Sequence, residues 1–147
     1  MPLYPAGTTS YFIPYKFSCY RAAAANSGNA AFLLVTFDTE LYDTGSNYSV
    51  STGKFTAPVA GFYHFNVGVN VTTTTDTICS LGKNSTTNEY IRIDQFLTAG
   101  TATGSIELSL AVSDYICVLS YTTNGSALGV GNAPILTYFS GFLVSAT

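Results

Sequence analysis

Residues 53–71, GKFTAPVAGFYHFNVGVNV, contain the alternation of side chains that decides the fold class. Successive side chains of a β-strand point to opposite faces, so residues 61–71 would form one strand with two unlike faces. One face carries Tyr63, Phe65, Val67, Val69 and Val71. The other face carries Phe62, His64, Asn66, Gly68 and Asn70. We predict a strand that places the first face in an apolar core and leaves the second, more polar face outward.

His64 is the only histidine of the chain and stands between Tyr63 and Phe65. A histidine in this setting could be a catalytic base, a metal ligand or a polar residue on the outside of a strand. Metal sites need further ligands at short spacings, and no Cys or carboxylate stands near His64 at such a spacing. We therefore predict that His64 is solvated or bonded to polar neighbours, and that the fold does not depend on it.

The composition of the chain favours an all-β protein. Its 147 residues fit one domain, and only 9% of them are charged, against about 25% in typical soluble domains. The 11 Tyr and 10 Phe are residue types that fill pleated, half-buried sheet surfaces. The surface must therefore consist mainly of Ser, Thr, Asn, Gly and Tyr.

Short apolar runs separated by turn-rich stretches follow one another from Phe17 onward, which is typical of a β-sandwich or barrel. We predict strands at 17–24, 31–37, 47–51, 53–58, 61–71, 77–82, 89–97, 104–112, 115–122 and 135–144. In IELSLAV, the alternation points Ile106, Leu108, Leu110 and Val112 inward. The predicted organisation is one β-sandwich or barrel domain over residues 17–147.

Residues 1–16 show neither helical nor strand periodicity and contain Pro2, Pro5 and Pro14, so we predict an extended N-terminal arm. Free tails are usually poor in aromatic residues, because nothing offsets the entropy lost when they become ordered. This arm instead carries the docking candidates Tyr4, Tyr11, Phe12 and Ile13. We expect it to pack on a neighbouring protomer or on a larger particle.

Two segments, YICVLSY at 115–121 and ILTYFSGFLV at 135–144, are apolar on both faces. A strand that is apolar on both faces must be covered on both faces, most simply by another copy of the chain. The candidates for this interface or for the core are Tyr115, Cys117, Leu119, Tyr121, Tyr138, Phe139 and Phe142. We therefore expect a homotrimer or another homo-oligomer.

Several classes of function are disfavoured by the charge and the motifs of the chain. The net charge is −3 and no basic stripe exists that could contact a phosphate backbone, which argues against a nucleic-acid partner. No stretch approaches the ~18 apolar residues of a membrane span, and residues 1–17 do not resemble a signal peptide. No P-loop, GxSxG or HExxH motif is present, so we expect no enzyme and no catalytic residue.

The three cysteines, Cys19, Cys79 and Cys117, are odd in number and far apart, so buried free thiols are the favoured interpretation, with their disulfide state left open. Four N-x-[ST] sequons begin at Asn47, Asn70, Asn84 and Asn124, and since about two arise by chance in so Ser/Thr-rich a chain, we draw no glycosylation site from them.

Three carboxylates cluster in TFDTELYDTG: Asp38, Glu40 and Asp43. Ca²⁺ prefers several oxygen ligands gathered on a loop, so these residues are the weak candidates for a metal site. Their spacing does not match an EF-hand, and a solvated turn is the favoured alternative. We expect no other cofactor.

Seven residues stand in the order and intervals of the signature of the C1q-like domain family: Phe37, Asp43, Tyr48, Phe55, Gly61, Tyr63 and Phe65. YFSGFLV at 138–144 resembles the closing strand of that family, and VSDYICV at 112–118 resembles its turn and following strand. Two departures are the aliphatic Val67, where the family commonly has an aromatic residue, and Ser113, where it usually has a glycine. The resemblance implies a ten-stranded jelly roll that assembles as a trimer, as in tumour necrosis factor-like domains, and acts as a non-enzymatic binding head.

A binding head with no visible signal peptide, few charges and a proline-rich arm leaves two functions open. The first is a structural or attachment module of a phage or viral particle, such as a decoration or fibre-tip protein, located on the virion. The alternative is a secreted or cell-surface recognition head, lectin-like or cytokine-like, that binds protein or carbohydrate.

Overall fold

The computed structural model describes residues 15–73, 76–129 and 135–147. These ranges form two β-sheets and contain no helix, and hence none long and apolar enough to span a membrane. The strands, in chain order, are β1 (Lys16–Tyr20), β2 (Gly28–Asn29), β3 (Leu33–Val35), β4 (Thr39–Asp43), β5 (Tyr48–Ser49), β6 (Lys54–Thr56), β7 (Gly61–Val71), β8 (Thr77–Lys83), β9 (Ile91–Phe96), β10 (Gly100–Leu110), β11 (Tyr115–Thr122) and β12 (Tyr138–Ala146). The arm residues Tyr4, Tyr11, Phe12 and Ile13 lie outside the described residues.

One sheet has five antiparallel strands in the order β10-β7-β12-β1-β4. The long strand β7 lies between β10 and β12, with Phe65 opposite Ile106 on one side and Gly141 on the other. The alternation predicted for residues 61–71 is confirmed on the inner face. Tyr63, Phe65, Val67, Val69 and Val71 are all at most 1% exposed.

The second sheet has seven strands and contains the path β5-β6-β11-β8-β9. β11 pairs with β8 along one edge, whereas its other edge is shared in turn by β6, β3 and β2. Only the two-residue strand β2 runs parallel to β11, and the other pairings described in this sheet are antiparallel. The two sheets therefore form the predicted sandwich, with the core between them.

Aromatic rings from both sheets fill the middle of the core. The ring of Phe17, on β1, stacks on Phe55 with centroids 4.8 Å apart and on Tyr48 at 5.5 Å. Phe139, on β12, meets the same Phe17 ring edge-on at 4.9 Å. Such pairs add about 0.5–1.5 kcal/mol each beyond the burial of their area, so this cluster is a principal link between the sheets.

Several predicted boundaries were wrong. β4 was not predicted, because TELYD lies at the edge of the sheet and exposes three of its five residues. β10 begins at Gly100 rather than at residue 104. Val112 does not point inward: it is 60% exposed, because β10 ends at Leu110 and the chain turns over residues 111–114.

Within residues 115–121, Cys117 and Leu119 need no second copy to cover them, whereas Tyr115 and Tyr121 are half-buried. Cys117 and Leu119 lie on the outer face of β11, beside Gly82, and both are fully buried within one chain. The cover is the segment 84–90, which folds back over this face. Ser85 accepts a hydrogen bond at its carbonyl oxygen from the Cys117 thiol, and the Glu89 carboxylate accepts one from the buried Ser80 hydroxyl.

The three cysteines are buried free thiols, as predicted. Burial raises the pKa of Cys117 to about 11 and raises that of Cys19 and Cys79 further. Cys19 also donates a hydrogen bond of 3.2 Å to the Phe139 carbonyl, across the β1–β12 pair. These thiols are therefore protonated at neutral pH and packed as small apolar groups.

We expect the substitution Tyr48→Phe to destabilise the fold by about 1–3 kcal/mol, because it leaves buried backbone groups unpaired. The Tyr48 hydroxyl accepts from the Phe37 N–H at 3.1 Å and donates to the Phe37 carbonyl at 3.3 Å, and Phe37 is fully buried. Urea unfolding measures the change, with Tyr42→Phe on the exposed side of β4 as the matched control. Equal, small effects of the two substitutions would contradict this role.

Candidate binding interface

The outer face of the five-stranded sheet is the surface opposite the core, and the alternation in its strands decides which side chains it presents. Cross-strand pairing places Glu107, His64, Phe142 and Lys16 side by side across β10, β7, β12 and β1. The next row contains Ser105, Asn66, Ser140, Ser18 and Tyr42. We call this surface, together with Phe62 and Val144, the outer face.

The outer face exposes large apolar side chains that a water-facing sheet would not require. Phe62, Phe142, Val144 and Tyr42 are each between 44% and 48% exposed. Apolar patches that are contiguous and rimmed by polar groups mark interaction sites on soluble proteins. The face is therefore a candidate interface.

His64 lies in the middle of the outer face with about a quarter of its side chain exposed. Its Nε2 is 3.2 Å from Asn66 Oδ1, and its Nδ1 is 3.8 Å from Glu107 Oε1. The imidazole packs against the Phe142 ring at a centroid distance of 5.2 Å. His64 thus has polar neighbours, as the alternation predicted.

Charge is sparse on this face. At its β1 side, the Lys16 ammonium lies 5.6 Å from the centre of the Tyr42 ring, a distance that allows a cation–π contact. At its β10 side, Glu107 is the acidic residue nearest His64. One cation and one anion therefore stand at opposite ends of the same row.

Tyr138 lies at one end of the outer face, against Gly68 of β7. Gly68 lies opposite Tyr138, and a Cβ at this glycine would overlap the Tyr138 ring. Tyr20 lies opposite Tyr138 on the other side and is only 9% exposed. Sequence reasoning counted Gly68 among the polar residues, and only the pairing of β7 with β12 shows that it makes room for this ring.

The comparisons with known proteins identify the family. Residues 16–144 match the C1q domain. The chain belongs to the C1q domain family. This confirms the resemblance carried by the signature residues and by the closing strand. Trimeric assembly is characteristic of the family, and its members are generally binding modules without enzymatic activity.

Solved structures with the same fold include the globular domain of zebrafish complement 1qA protein. It is 21% identical to this chain, with a TM-score of 0.62, and the match covers 90% of this chain and 98% of the other. Murine APRIL matches at 11% identity and a TM-score of 0.63, with 89% and 99% coverage. Eiger TNF from S. frugiperda matches at 14% identity and 0.59, with 92% and 94% coverage. At these identities the similarity shows the jelly-roll fold alone.

In this C1q domain, two of the proposed calcium ligands bind backbone instead. Asp38 accepts hydrogen bonds from the N–H groups of Ala22 and Ala23 at 2.8 and 2.9 Å. Burial alone would raise the pKa of Asp38, but these bonds lower it below its usual value. Asp43 accepts from the N–H groups of Gly45 and Tyr48 at 3.1 and 2.7 Å, which closes the turn before β5.

The described ranges bring together no group of three or more His, Cys, Asp or Glu side chains that could hold a metal ion. Asp38, Glu40 and Asp43 are therefore not gathered into a common site. Glu40 lies on β4 opposite Cys19, away from both turns that the two aspartates close. Although Asp38 and Asp43 are close in sequence, they bind backbone N–H groups at opposite ends of β4.

The other sequence candidates fall into three places. Phe139, Cys117 and Leu119 belong to the buried interior of the C1q domain. Tyr115 and Tyr121, on β11, are half-buried, with the Lys54 ammonium 4.2 Å from the centre of the Tyr115 ring. Of the proposed set, Phe142 and Tyr138 reach the outer face.

Asp114 organises the turn that joins β10 to β11. Its carboxylate accepts from Asn84 Nδ2 at 2.7 Å and from the Ala111 N–H at 2.9 Å, and it pairs with Lys83 Nζ at 3.0 Å. The neighbouring Ser113 has a φ of 71°, which explains why the family usually has a glycine there. The side-chain amide of Asn84, which begins one of the sequons, is therefore hydrogen-bonded within the domain.

We expect the stability that Asp114 contributes to the fold to be lost in the acid range. The hydrogen bond from Asn84, with those from Ala111 and Lys83, lowers the pKa of Asp114 to about 2, whereas an unfolded Asp titrates near about 3.9. A depressed folded pKa gives stability that is full above about pH 4 and is lost as pH falls through about 2. Asp114→Asn should thus lose stability to urea near neutral pH and converge on the natural protein near about pH 2. A difference that stays constant with pH would contradict this assignment.

Proposed function

We propose that this C1q domain is a trimeric binding head whose copies associate through the outer face of the five-stranded sheet. The observation that carries the proposal is the row of half-exposed apolar side chains on that face, in a family in which trimers are characteristic. The sheet packs its inner face on the core, so the outer face is the side that remains for a partner.

Burial of the apolar side chains of this face would stabilise the association of copies. Phe62, Phe142, Val144 and Tyr42 are each about half covered in the single chain. Covering the remainder contributes on the order of 1 kcal/mol per side chain, and every copy contributes its own set. Few charged groups must be desolvated at the same time, which keeps the cost of association low.

The charges at the two ends of the row can be paired between copies in a ring. A two-fold contact brings the same patch on both subunits together, whereas a ring joins one side of each subunit to the opposite side of the next. The outer face has an acidic end at Glu107 and a basic end at Lys16, with His64 and Phe142 between them. In a ring, the acidic end of one copy can meet the basic end of its neighbour.

We expect Phe142→Glu to convert the trimer into a monomer, because it places a charge in the contact on each of the three copies. Light scattering at micromolar concentration should report about three chain masses for the natural protein and one for the variant. Val112→Glu is the matched control, since Val112 is 60% exposed and lies off the outer face, and this variant should remain trimeric. A natural chain that is a well-folded monomer would contradict the proposal.

We further infer that the trimer is an attachment module, a decoration or fibre-tip protein of a phage or viral particle, held through its N-terminal arm. The support is the composition of residues 1–16, where Tyr4, Tyr11, Phe12 and Ile13 follow or precede prolines that restrict the chain. The described chain begins at Tyr15, whose carbonyl accepts a hydrogen bond from the Leu143 N–H of β12. The arm thus joins the domain beside a strand of the outer face.

We expect deletion of residues 2–14 to leave a folded trimer but to weaken its binding to the assembly that carries it. The arm contributes apolar contacts to the larger assembly, whereas the outer face that joins the copies is retained. Co-sedimentation with the particulate fraction of the source cells measures the loss of binding. The double substitution Phe12→Ala with Ile13→Ala should weaken binding less than the deletion does. Hydrogen exchange in the arm as fast as that of a free peptide, measured on the intact assembly, would contradict a docking role.

The alternative function is a secreted or cell-surface recognition head, lectin-like or cytokine-like, that binds protein or carbohydrate. C1q and tumour necrosis factor-like domains are typically extracellular, and the fold is shared with murine APRIL and Eiger TNF. Screening the intact trimer against a glycan array and against cell-surface proteins separates the two functions. A saturable ligand that the arm deletion leaves unaffected would favour the recognition head.

A further inference from the structure

We propose that Asn124 and Gly125 form a site of spontaneous deamidation, in the turn that follows β11. The proposal does not depend on how copies of the chain associate. It assigns chemistry to an asparagine that belongs neither to the core nor to the outer face. It also connects this asparagine to a group of buried hydroxyl groups that lies beside the turn.

Deamidation begins when the backbone nitrogen of the residue after an asparagine attacks the Cγ atom of the asparagine side chain. The new N–Cγ bond closes a five-membered succinimide ring. The attacking nitrogen gives up its proton, and the side-chain amide leaves as ammonia. Water then opens the ring at either of its two carbonyl groups, which gives aspartate or isoaspartate.

The sequence favours this attack at one place. A side chain on the residue after the asparagine hinders the approach of the backbone nitrogen, and glycine has none. Asn124 and Gly125 are the one Asn-Gly pair of the chain. Gly125 has a φ of 72°, whereas a Cβ placed on it would lie at an ordinary contact distance of 3.5 Å from Asn29. The turn thus requires glycine for its backbone conformation, and the same glycine exposes its nitrogen to Asn124.

The surroundings of the pair leave the Asn124 side chain free to rotate. Asn124 is exposed and lies in the turn rather than in a strand. Among the residues that the structure describes, no hydrogen bond holds its side-chain amide or the Gly125 N–H. The preceding Thr123 is fixed, because its N–H donates to the Asp76 carbonyl at 3.1 Å. Asn124 can therefore turn its Cγ toward the Gly125 nitrogen, and water can reach both atoms.

The other sequon asparagines are held by the fold. Asn70 donates a hydrogen bond from Nδ2 to Thr101 Oγ1 at 2.7 Å, and Asn84 donates one to the Asp114 carboxylate at 2.7 Å. The Nδ2 atom of Asn47 is buried. Each of the three is followed by a residue that carries a side chain. We therefore expect the reaction to be selective for Asn124.

The two products should affect the domain differently because of Ser126, which follows the pair and is only 7% exposed. The Ser126 carbonyl accepts from the Ser27 N–H at 2.9 Å, and its hydroxyl accepts from the Thr73 hydroxyl at 2.8 Å. Ser27 in turn contacts the hydroxyl of the fully buried Thr122 at 2.9 Å. Aspartate keeps the length of the backbone, whereas isoaspartate lengthens it by one carbon atom. The longer turn displaces Ser126 and leaves buried polar groups unpaired.

The test follows the full-length natural protein during incubation in mildly alkaline and mildly acidic buffer, because hydroxide promotes loss of the proton from the attacking nitrogen. A chymotryptic peptide over residues 122–128 should gain the mass difference between water and ammonia, and it should do so faster at the higher pH. Isoaspartyl methyltransferase should label the incubated protein, since it methylates isoaspartate. The peptides that contain Asn70 and Asn84 are the internal controls and should keep their amides. A sample digested without incubation corrects for deamidation during digestion.

Two variants separate the site from its effect on the fold. Asn124→Gln should suppress the mass change, because glutamine closes a six-membered ring much more slowly. Asn124→Asp supplies the aspartate product without isoaspartate, and it should unfold at nearly the same urea concentration as the natural protein. The incubated protein, which contains isoaspartate, should unfold at a lower urea concentration than Asn124→Asp.

Three outcomes would contradict these expectations. An Asn124 that keeps its amide in the folded chain would overturn the proposal, and conversion of the same peptide in urea would show that the fold holds the turn closed. Equal conversion of Asn70 or Asn84 would overturn the selectivity that the turn provides. Incubated protein as stable as Asn124→Asp would overturn the connection to Ser126 and leave the deamidation site itself standing.

Discussion

The ring of Phe17 joins the two sheets, and the rest of the structure depends on that contact. It stacks on Phe55 and Tyr48 from the seven-stranded sheet and meets Phe139 from its own sheet. Since side chains alternate along β1, a Phe17 that points into the core forces Lys16 and Ser18 onto the opposite side. The aromatic packing inside the sandwich thus determines which groups the outer face presents to a partner.

The sequence predicted the fold well where periodicity was strong. The alternation in 61–71 placed five residues of β7 in the core, and the signature residues Phe37, Tyr48 and Phe55 indicated the family before any pairing was known. Periodicity reports that a face is buried, but it does not report what covers it. For this reason, the outer side of β11 was assigned to a second copy, whereas the segment 84–90 of the same chain covers it.

The candidate interface was harder to predict, for a physical reason. It is built from strands that are far apart in sequence, and their relative register decides which side chains meet. Tyr138 rests on Gly68 and His64 lies between Glu107 and Phe142 only because β12 and β10 pair with β7 in that register. Composition alone did not reveal that Asp38 and Asp43 close separate turns, although both sit in one short acidic stretch.

In the described part of the chain, β4 forms one edge of the five-stranded sheet, and its irregular pairing has a consequence for how the protein behaves at high concentration. The pairing of β1 with β4 shifts between Ser18 and Cys19, so Leu41 is an extra residue that is 57% exposed at the end of the sheet. A regular edge strand is a template for addition of further strands, and a bulge interrupts the ladder that such addition needs. With few charges to keep chains apart, this irregularity opposes the strand-by-strand addition that leads to fibrils.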